Sequence, residues 1–148
     1  MLRVLPFRQS PGLCGPASLK MVLEYFDIKK SEKELAKLSN AHPHHGTSAK
    51  NLVLAATKLG CKGFYKDFSS IKEIKKYLDK KIPVIVDWFS HDDGHYSVVV
   101  GIDKKFIYLQ DPELGEINKV DLITFQRVWF DFEGKMLKKK QDIFVRRL

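Results

Sequence analysis

Residues 9–19 read QSPGLCGPASL, and the rest of the chain is organised around this stretch. A loop rich in proline and glycine leads to Cys14, after which apolar residues recur at three- and four-residue spacing, at Leu19, Val22, Leu23 and Phe26. Pro16 suits the first turn of a helix, where its missing N–H removes no hydrogen bond. The pattern therefore predicts a helix over about residues 14–26, with Cys14 at or just before its N-terminus.

A cysteine at this position has the chemistry of a nucleophile. The partial positive charge at a helix N-terminus favours the thiolate over the thiol. A thiolate is effective when an imidazole base lies within reach and when hydrogen-bond donors stabilise the oxyanion that its attack creates. Gln9 lies just upstream, and its side-chain amide is a candidate oxyanion donor. The alternative is that Cys14 is a structural cysteine.

The composition is that of a globular domain, since 44% of the 148 residues are apolar and 30% are charged. We expect one domain over residues 1–148, with a helical part over about 12–80 and a sheet part over about 82–148. The formal net charge of +8 is compatible with a polyanionic partner. However, the lysines are spread over several predicted helices and no nucleic-acid-binding motif is recognised, so we do not expect nucleic acid as a partner.

The cysteine count and the apolar runs bear on the compartment. Cys14 and Cys61 are too few for a disulfide framework and fit a reducing environment. We expect Cys61 to be a small buried apolar residue. The chain shows no signal peptide and no run of about 18 apolar residues that could span a membrane. These features predict a soluble, cytoplasmic protein, or a soluble domain of a larger one, and they leave its oligomeric state open.

Capping residues mark the other predicted helices. Ser31 with Glu34 opens a second helix and Ser70 with Glu73 opens a fourth, over about residues 71–80. Thr47 or Ser48 caps a third helix that ends at Gly60. A short helix begins near Asp121. Helices that precede strands in this way predict an α+β fold with a mainly antiparallel sheet.

Three histidines lie in the predicted loop over residues 40–48, at positions 42, 44 and 45. The His-Pro-His-His run has neither the helical i, i+4 pairing nor the cysteine partners of a recognisable zinc site. We therefore interpret them as exposed loop residues and predict no metal site. Metal ligation or a role beside a substrate is the alternative.

The sequence predicts seven strands, and all but the first lie in the second half of the chain. They cover about residues 61–65, 82–89, 95–103, 106–110, 116–119, 130–132 and 143–145, with a polar loop at Ser90–Gly94 and a turn at Glu133-Gly134-Lys135. Alternation places His95, Ser97, Val99 and Gly101 on one face of its strand, where small side chains would leave room for the first helix.

The strands 95–103 and 106–110 predict a hairpin, which brings His95 near Asp111 because the start of one strand lies opposite the end of the next. An imidazole that serves as a base needs a third group to orient it, and Asp111 could supply that group. Each residue also has an ordinary alternative, since a histidine at a strand start is often a surface residue and Asp-Pro is often a turn. The combination of Cys14, His95 and Asp111 with Gln9 favours catalysis.

Three segments resemble the motifs of the C39-like cysteine peptidases, a papain-like group. Gln9 with Cys14-Gly15-Pro16-Ala17-Ser18-Leu19-Lys20-Met21-Val22 is similar to the nucleophile motif, and Gly94-His95-Tyr96-Ser97-Val98-Val99-Val100-Gly101 is similar to the histidine motif. Gln110-Asp111-Pro112-Glu113-Leu114-Gly115 is similar to the Asp-Pro motif. The resemblance covers about residues 5–130.

The resemblance implies a papain-like fold and a thiol peptidase that needs no cofactor and acts on a peptide or protein. It implies Cys14 as nucleophile, His95 as general base and acid, Asp111 as the orienting residue and Gln9 in the oxyanion hole. A non-catalytic binding or regulatory module on the same fold is the alternative. The best-known members cut leader peptides as parts of ABC transporters. Because the sequence shows no transporter segments, leader cleavage is not among the expectations.

Overall fold

The computed structural model describes residues 1–90, 93–133 and 136–147, and this part of the chain contains five helices. They are α1 (Cys14–Tyr25), α2 (Glu32–Leu38), α3 (Ala49–Lys58), α4 (Ile71–Asp79) and α5 (Leu122–Val128). Side-chain caps begin four of them, because Ser31, Ser48, Ser70 and Asp121 each accept a hydrogen bond from a backbone N–H in the first turn. None of the described helices is long and apolar enough to cross a membrane.

Eight strands form two sheets in the described part of the chain. They are β1 (Cys61–Lys66), β2 (Val84–Ser90), β3 (Asp93–Ile102), β4 (Phe106–Asp111), β5 (Glu116–Asp121), β6 (Phe130–Glu133), β7 (Met136–Lys139) and β8 (Asp142–Arg147). The large sheet has the order β1-β8-β2-β3-β4-β5, and β6 pairs with β7 in a separate hairpin. Every pair is antiparallel. The α+β class with an antiparallel sheet is therefore confirmed.

Two features of the sheets differ from the sequence prediction. The expected polar loop at Ser90–Gly94 is too long, because Ser90 belongs to β2 and pairs with Asp93 of β3. Strand β7 was not predicted, since its run of lysines carries no alternation that marks a strand. His91 and Asp92 of the expected loop, and Gly134 and Lys135 of the expected turn, lie outside the described residues.

The large sheet buries both of its faces. One face packs against α1, α2 and α3, through a core that includes Leu19, Val22, Leu35, Leu52 and Ile85. The other face packs against α4 and α5, through a core that includes Ile74, Val86, Trp88, Phe125 and Trp129. Strand β2 is buried on both sides, which explains its nearly continuous apolar sequence.

The expected packing of the first helix on β3 is wrong. We expected α1 to cover the face that carries Ser97 and Val99, but α1 packs on the opposite face, against Tyr96, Val98 and Val100. Val99 lies in the other core, and Ser97 Oγ accepts a hydrogen bond of 3.0 Å from Trp88 Nε1. The larger apolar side chains decide the face, because they bury more apolar surface against the helix than the small residues could.

The first 13 residues form an N-terminal strap without regular secondary structure, which contacts β3 and β4. The backbone N–H of Leu2 donates to the carbonyl of Val100 at 2.8 Å. The side-chain amide of Gln110, on β4, donates to the carbonyl of Val4 at 2.8 Å. These bonds fix the segment that delivers Gln9 and Cys14 to the end of the sheet.

Candidate active site

Cys14 is the first residue of α1 and is half-buried. The loop before it bends tightly at Gly12, whose φ of +76° is in the left-handed region. A Cβ on Gly12 would lie 2.0 Å from the carbonyl oxygen of Pro43. Glycine at this position therefore lets the histidine-containing loop approach the start of α1, and it sets one wall of a cleft beside Cys14.

His95 connects Cys14 with Asp111. Its Nε2 lies 2.6 Å from Asp111 Oδ1, and it also forms a side-chain hydrogen bond with Cys14. Because Nε2 is occupied by the carboxylate, Nδ1 is the ring nitrogen left for the sulfur. The Trp88 ring meets the imidazole edge-on, with ring centroids 6.0 Å apart. The structure thus brings together the three side chains that the sequence analysis singled out.

The environment of His95 favours the imidazolium form. Burial opposes a charge on this ring, since only 6% of the residue is exposed. Hydrogen bonds to Asp111 and to Cys14, together with their negative charges, outweigh burial and raise the pKa of His95 to about 10. At neutral pH the imidazole therefore carries a proton, and that proton can be shared with the sulfur.

Asp111 is held by several donors. Its Oδ1 also accepts the backbone N–H of Glu113 at 3.0 Å, and its Oδ2 accepts the side-chain amide of Asn118 at 3.3 Å. Burial would raise the pKa of Asp111, but the hydrogen bonds and the charge of His95 bring that pKa below its ordinary value. Asn118, on β5, was not singled out from the sequence, because only the pairing of β4 with β5 brings it to this carboxylate.

Gln9 lines the same cleft as Cys14 and His95. Its side-chain Nε2 makes only a long contact of 3.4 Å, with the carbonyl of Ser10. Its Oε1 is buried and has no hydrogen-bond partner among the described residues. The amide therefore belongs to the same cleft as Cys14 and has a donor that is weakly engaged, as expected for an oxyanion donor.

The cleft has a volume of about 660 Å³ and is bounded by elements that are distant in sequence. The loop that contains Pro43, His44 and His45 forms one wall, and the hairpin β6–β7, with Phe132, forms the other. Phe89 of β2 stacks on Phe130 of β6 at 5.1 Å and so helps to dock the hairpin against the sheet. An extended chain could lie between the two walls with its backbone beside Cys14.

Two acidic residues of this cleft were missed from the sequence. Asp87 lies in the middle of β2 and is only 4% exposed, and Asp131 lies on β6. The two carboxyl groups share a hydrogen bond, and burial followed by the charge of Asp131 raises the pKa of Asp87 well above its ordinary value. A carboxyl group inside an apolar strand was the available signal, because such a residue is seldom buried without a partner.

The loop histidines are exposed, and His44 and His45 line the cleft. The ring of His42 lies 5.5 Å from that of His44 and 4.8 Å from that of His45. Among the described residues, one group of three is close enough to share a metal ion, namely His95, Asp111 and Glu113. Two of these already hydrogen-bond to each other. Cys61 is buried in the core, 3% exposed, as the sequence predicts.

Known proteins are similar to this chain in sequence and in fold. A model of the Peptidase_C39 like family matches residues 1–136. An uncharacterized protein of Methanothermobacter marburgensis is 35% identical over 114 residues, which cover 75% of this chain and 73% of that protein. The peptidase domain of Streptococcus ComA, a bi-functional ABC transporter involved in a quorum sensing pathway, matches with a TM-score of 0.81 at 25% identity, over 99% of this chain and 100% of that one.

A second solved structure has the same architecture. A double glycine motif protease from an AMS/PCAT transporter, in complex with the leader peptide, matches with a TM-score of 0.75 at 22% identity, over 97% of this chain and 91% of that one. These likenesses confirm the papain-like α+β fold. Since the family model covers residues 1–136, the chain belongs to the Peptidase_C39 like family.

Proposed function

We propose that this protein is a cysteine peptidase that hydrolyses a peptide or amide bond through an acyl-enzyme thioester. Cys14 is the nucleophile, His95 is the general base and acid, and Asp111 orients His95. One observation carries the proposal: His95 hydrogen-bonds to Asp111 at 2.6 Å and also to Cys14, at the edge of an open cleft. A nucleophile, its base and the group that orients the base are the minimum set for this chemistry.

In the first half of the reaction, the proton of Cys14 rests on His95 and the thiolate attacks the substrate carbonyl carbon. The S–C bond forms while the electron pair of the C=O bond moves to the oxygen. The Gln9 side-chain amide and the Cys14 backbone N–H donate hydrogen bonds to this oxyanion. His95 then gives its proton to the amide nitrogen, the C–N bond breaks, and the amine leaves.

In the second half, water hydrolyses the thioester. His95 removes a proton from water as the water oxygen attacks the carbonyl carbon. The oxyanion returns its electron pair, the S–C bond breaks, and Cys14 leaves as a thiolate beside the imidazolium. Asp111 keeps Nε2 protonated throughout, so that Nδ1 always faces the sulfur and the substrate. All of these steps use residues of the chain itself.

The shape of the cleft supports a peptide or protein as the substrate class. A volume of about 660 Å³ between two walls is suited to several residues of an extended peptide. The transporter protease of the same fold is in complex with a leader peptide. A peptide or protein is therefore the proposed substrate here. The proposal does not extend to a leader peptide or to cleavage after two glycines.

Digestion of a peptide library tests the proposal. The wild-type chain is expected to cleave a subset of peptides at defined positions, and Cys14→Ala is expected to cleave none while its circular dichroism spectrum and melting temperature remain close to wild type. Cys61→Ala is the matched control and keeps the cleavage pattern. Equal cleavage by the wild type and by Cys14→Ala overturns the mechanism.

The alternative, a binding module with an unused site, makes a different prediction for thiol reactivity. If His95 holds Cys14 as a thiolate, iodoacetamide near pH 6 alkylates Cys14 rapidly, and His95→Gln slows the reaction strongly. Slow alkylation of Cys14 in both the wild type and His95→Gln favours the non-catalytic binding module. The buried Cys61 labels slowly in either case, so the comparison between wild type and His95→Gln decides.

A further inference from the structure

The proposed peptidase function leaves the carboxyl groups of Asp87 and Asp131 without a role. They lie in the wall of the same cleft as Cys14 and His95, on β2 and on β6. A hydrogen bond joins them, which requires that one of the two carries a proton. Two carboxyl groups this close behave as a pair that holds one negative charge.

The pair is open to a ligand on one side. Asp87 is only 4% exposed, yet its Oδ1 has no hydrogen-bond partner among the described residues although it lines the cleft. A buried carboxyl oxygen without a partner is costly unless a bound group completes it. Charges on Cys14 and His95 both influence Asp87, so the pair lies within electrostatic range of the reacting atoms.

The cleft lining is acidic, whereas the protein as a whole is basic. The whole chain has 26 lysines and arginines against 18 acidic residues. Among the described residues that line the cleft, however, three are acidic (Asp87, Glu113 and Asp131) and one is a lysine or arginine (Lys138). The protonated imidazole of His95 also lines the cleft, but it is paired with Asp111. Lys138 lies opposite Asp131 in the hairpin, and its ammonium is 3.7 Å from Asp67 Oδ2. Part of its charge is therefore already neutralised by Asp67.

Glycine at position 94 keeps this place accessible. A Cβ on Gly94 would lie 2.1 to 2.2 Å from the carboxyl atoms of Asp131. Any side chain there would displace the Asp131 carboxyl group. The absence of a side chain at position 94 therefore leaves the Asp131 carboxyl group in its place next to Asp87.

We propose that Asp87 and Asp131 form a substrate subsite that binds the ammonium or guanidinium group of a lysine or arginine close to the scissile bond. This inference rests on the proposed peptidase function, because the ligand is a side chain of the peptide in the cleft. When the cation binds, both carboxyl groups become carboxylates that accept its N–H bonds, and the shared proton passes to solvent. A metal ion is a poorer candidate, because no described group of three ligand residues close enough to hold one includes Asp87.

Binding of short peptides to the full-length Cys14→Ala chain tests this subsite. The probes are alanine-based peptides with one lysine at a single position, each compared by isothermal titration calorimetry with the same peptide that carries norleucine there. Lysine at one position is expected to bind roughly 10- to 100-fold more tightly than norleucine, the range for hydrogen bonds to charged groups. Release of about one proton is expected at pH 7, from titrations in buffers of different ionisation enthalpy.

Two variants in the Cys14→Ala background distinguish a subsite from a structural pair. Asp87→Asn keeps a donor for Asp131 but is expected to lose the lysine preference and the proton release. Asp142→Asn, the same change at a buried position of the neighbouring strand outside the cleft lining, is expected to keep both. The inference is overturned if no peptide binds, if lysine has no advantage at any position, or if the advantage survives Asp87→Asn.

Failure of the subsite and failure of the peptidase proposal give different results. Cleavage of the peptide library by the wild type, with no preference for lysine or arginine near the cut, refutes the subsite and leaves the peptidase function standing. Lysine-dependent binding without cleavage by the wild type refutes the peptidase and retains a site for cationic peptides.

Discussion

The backbone N–H of Gln9 donates a hydrogen bond of 2.8 Å to the carbonyl of Pro112. Pro112 directly follows Asp111, so this bond ties the candidate oxyanion donor to the loop that follows the carboxylate proposed to orient His95. The N-terminal strap and β4 therefore position Gln9 and Asp111 together. A disturbance of either segment is expected to affect both ends of the site.

The first prediction concerns Gln9. Gln9→Ala removes the side-chain donor from the oxyanion, and kcat is expected to fall about 10²- to 10³-fold. KM should change little, because the missing bond forms mainly in the transition state. Steady-state kinetics on a cleaved library peptide measure both. Gln9→Glu, which replaces the donor with a negative charge, should be at least as slow, and a loss below tenfold in both variants would count against the oxyanion role.

The second prediction concerns Asp111. Asp111→Ala leaves His95 without the acceptor at Nε2, so the ring loses its orientation and kcat is expected to fall about 10²-fold or more. Asp111→Asn keeps an acceptor oxygen at the same place and should retain more activity than the alanine variant. Asn118→Ala, which removes only the 3.3 Å bond to Oδ2, serves as the control with the smallest loss. Equal activity in all three variants contradicts the role of Asp111.

The third prediction is a pH dependence of stability that comes from His95. The folded protein raises the pKa of His95 to about 10, above the ordinary value of 6.5, through its bonds to Asp111 and Cys14. The folded state therefore binds a proton that the unfolded state releases between these values. The stabilisation is fully present below pH 6.5 and is lost as the pH rises towards 10. In urea unfolding, the free energy of unfolding should decrease more between pH 6 and pH 9 for wild type than for His95→Gln.

The fourth prediction concerns Asp142, a fully buried residue at the start of β8. Burial raises the pKa of its carboxyl group well above the ordinary value of 3.8, and a hydrogen bond with the Ser69 side chain offsets this rise only in part. Above pH 3.8 the unfolded state loses a proton that the folded state keeps, so stability falls as the pH rises. Asp142→Asn removes this titration. In urea unfolding, the free energy of unfolding of the variant should rise relative to that of wild type between pH 3 and pH 7. If the difference between the two proteins does not change with pH, the raised pKa of Asp142 is refuted.

Local signals predicted the helices and most of the strands. Ser31 and Ser70 cap helices as the sequence predicted, and Ser48 is the one of the two predicted candidates that caps the third helix. A cap is a bond between residues three apart, so it needs no tertiary context. The continuous apolar run of β2 likewise indicated a strand buried on both faces. The proximity of His95 and Asp111 could be inferred from the hairpin alone, because a tight connection between antiparallel strands fixes which residues face each other.

Other features depended on contacts between distant parts of the chain. Strand β8 inserts between β1 and β2, although more than 50 residues separate it from β2 in sequence. No local pattern encodes that pairing, because it joins segments that are distant in sequence. The face of β3 that α1 covers was also predicted wrongly, because it depends on which side chains bury the greater apolar area.

The sequence by itself determined the α+β class, the helix caps and the residue types of the candidate site, because all of these follow from short spacings and the chemistry of single side chains. Only the tertiary structure decided how the site is enclosed. It joined the hairpin β6–β7 to the sheet and so brought Asp131 to Asp87, 44 positions apart in the numbering, beside Cys14 and His95. Hydrogen bonds and electrostatic interactions act over a few ångströms, so they exist only after folding has closed these distances.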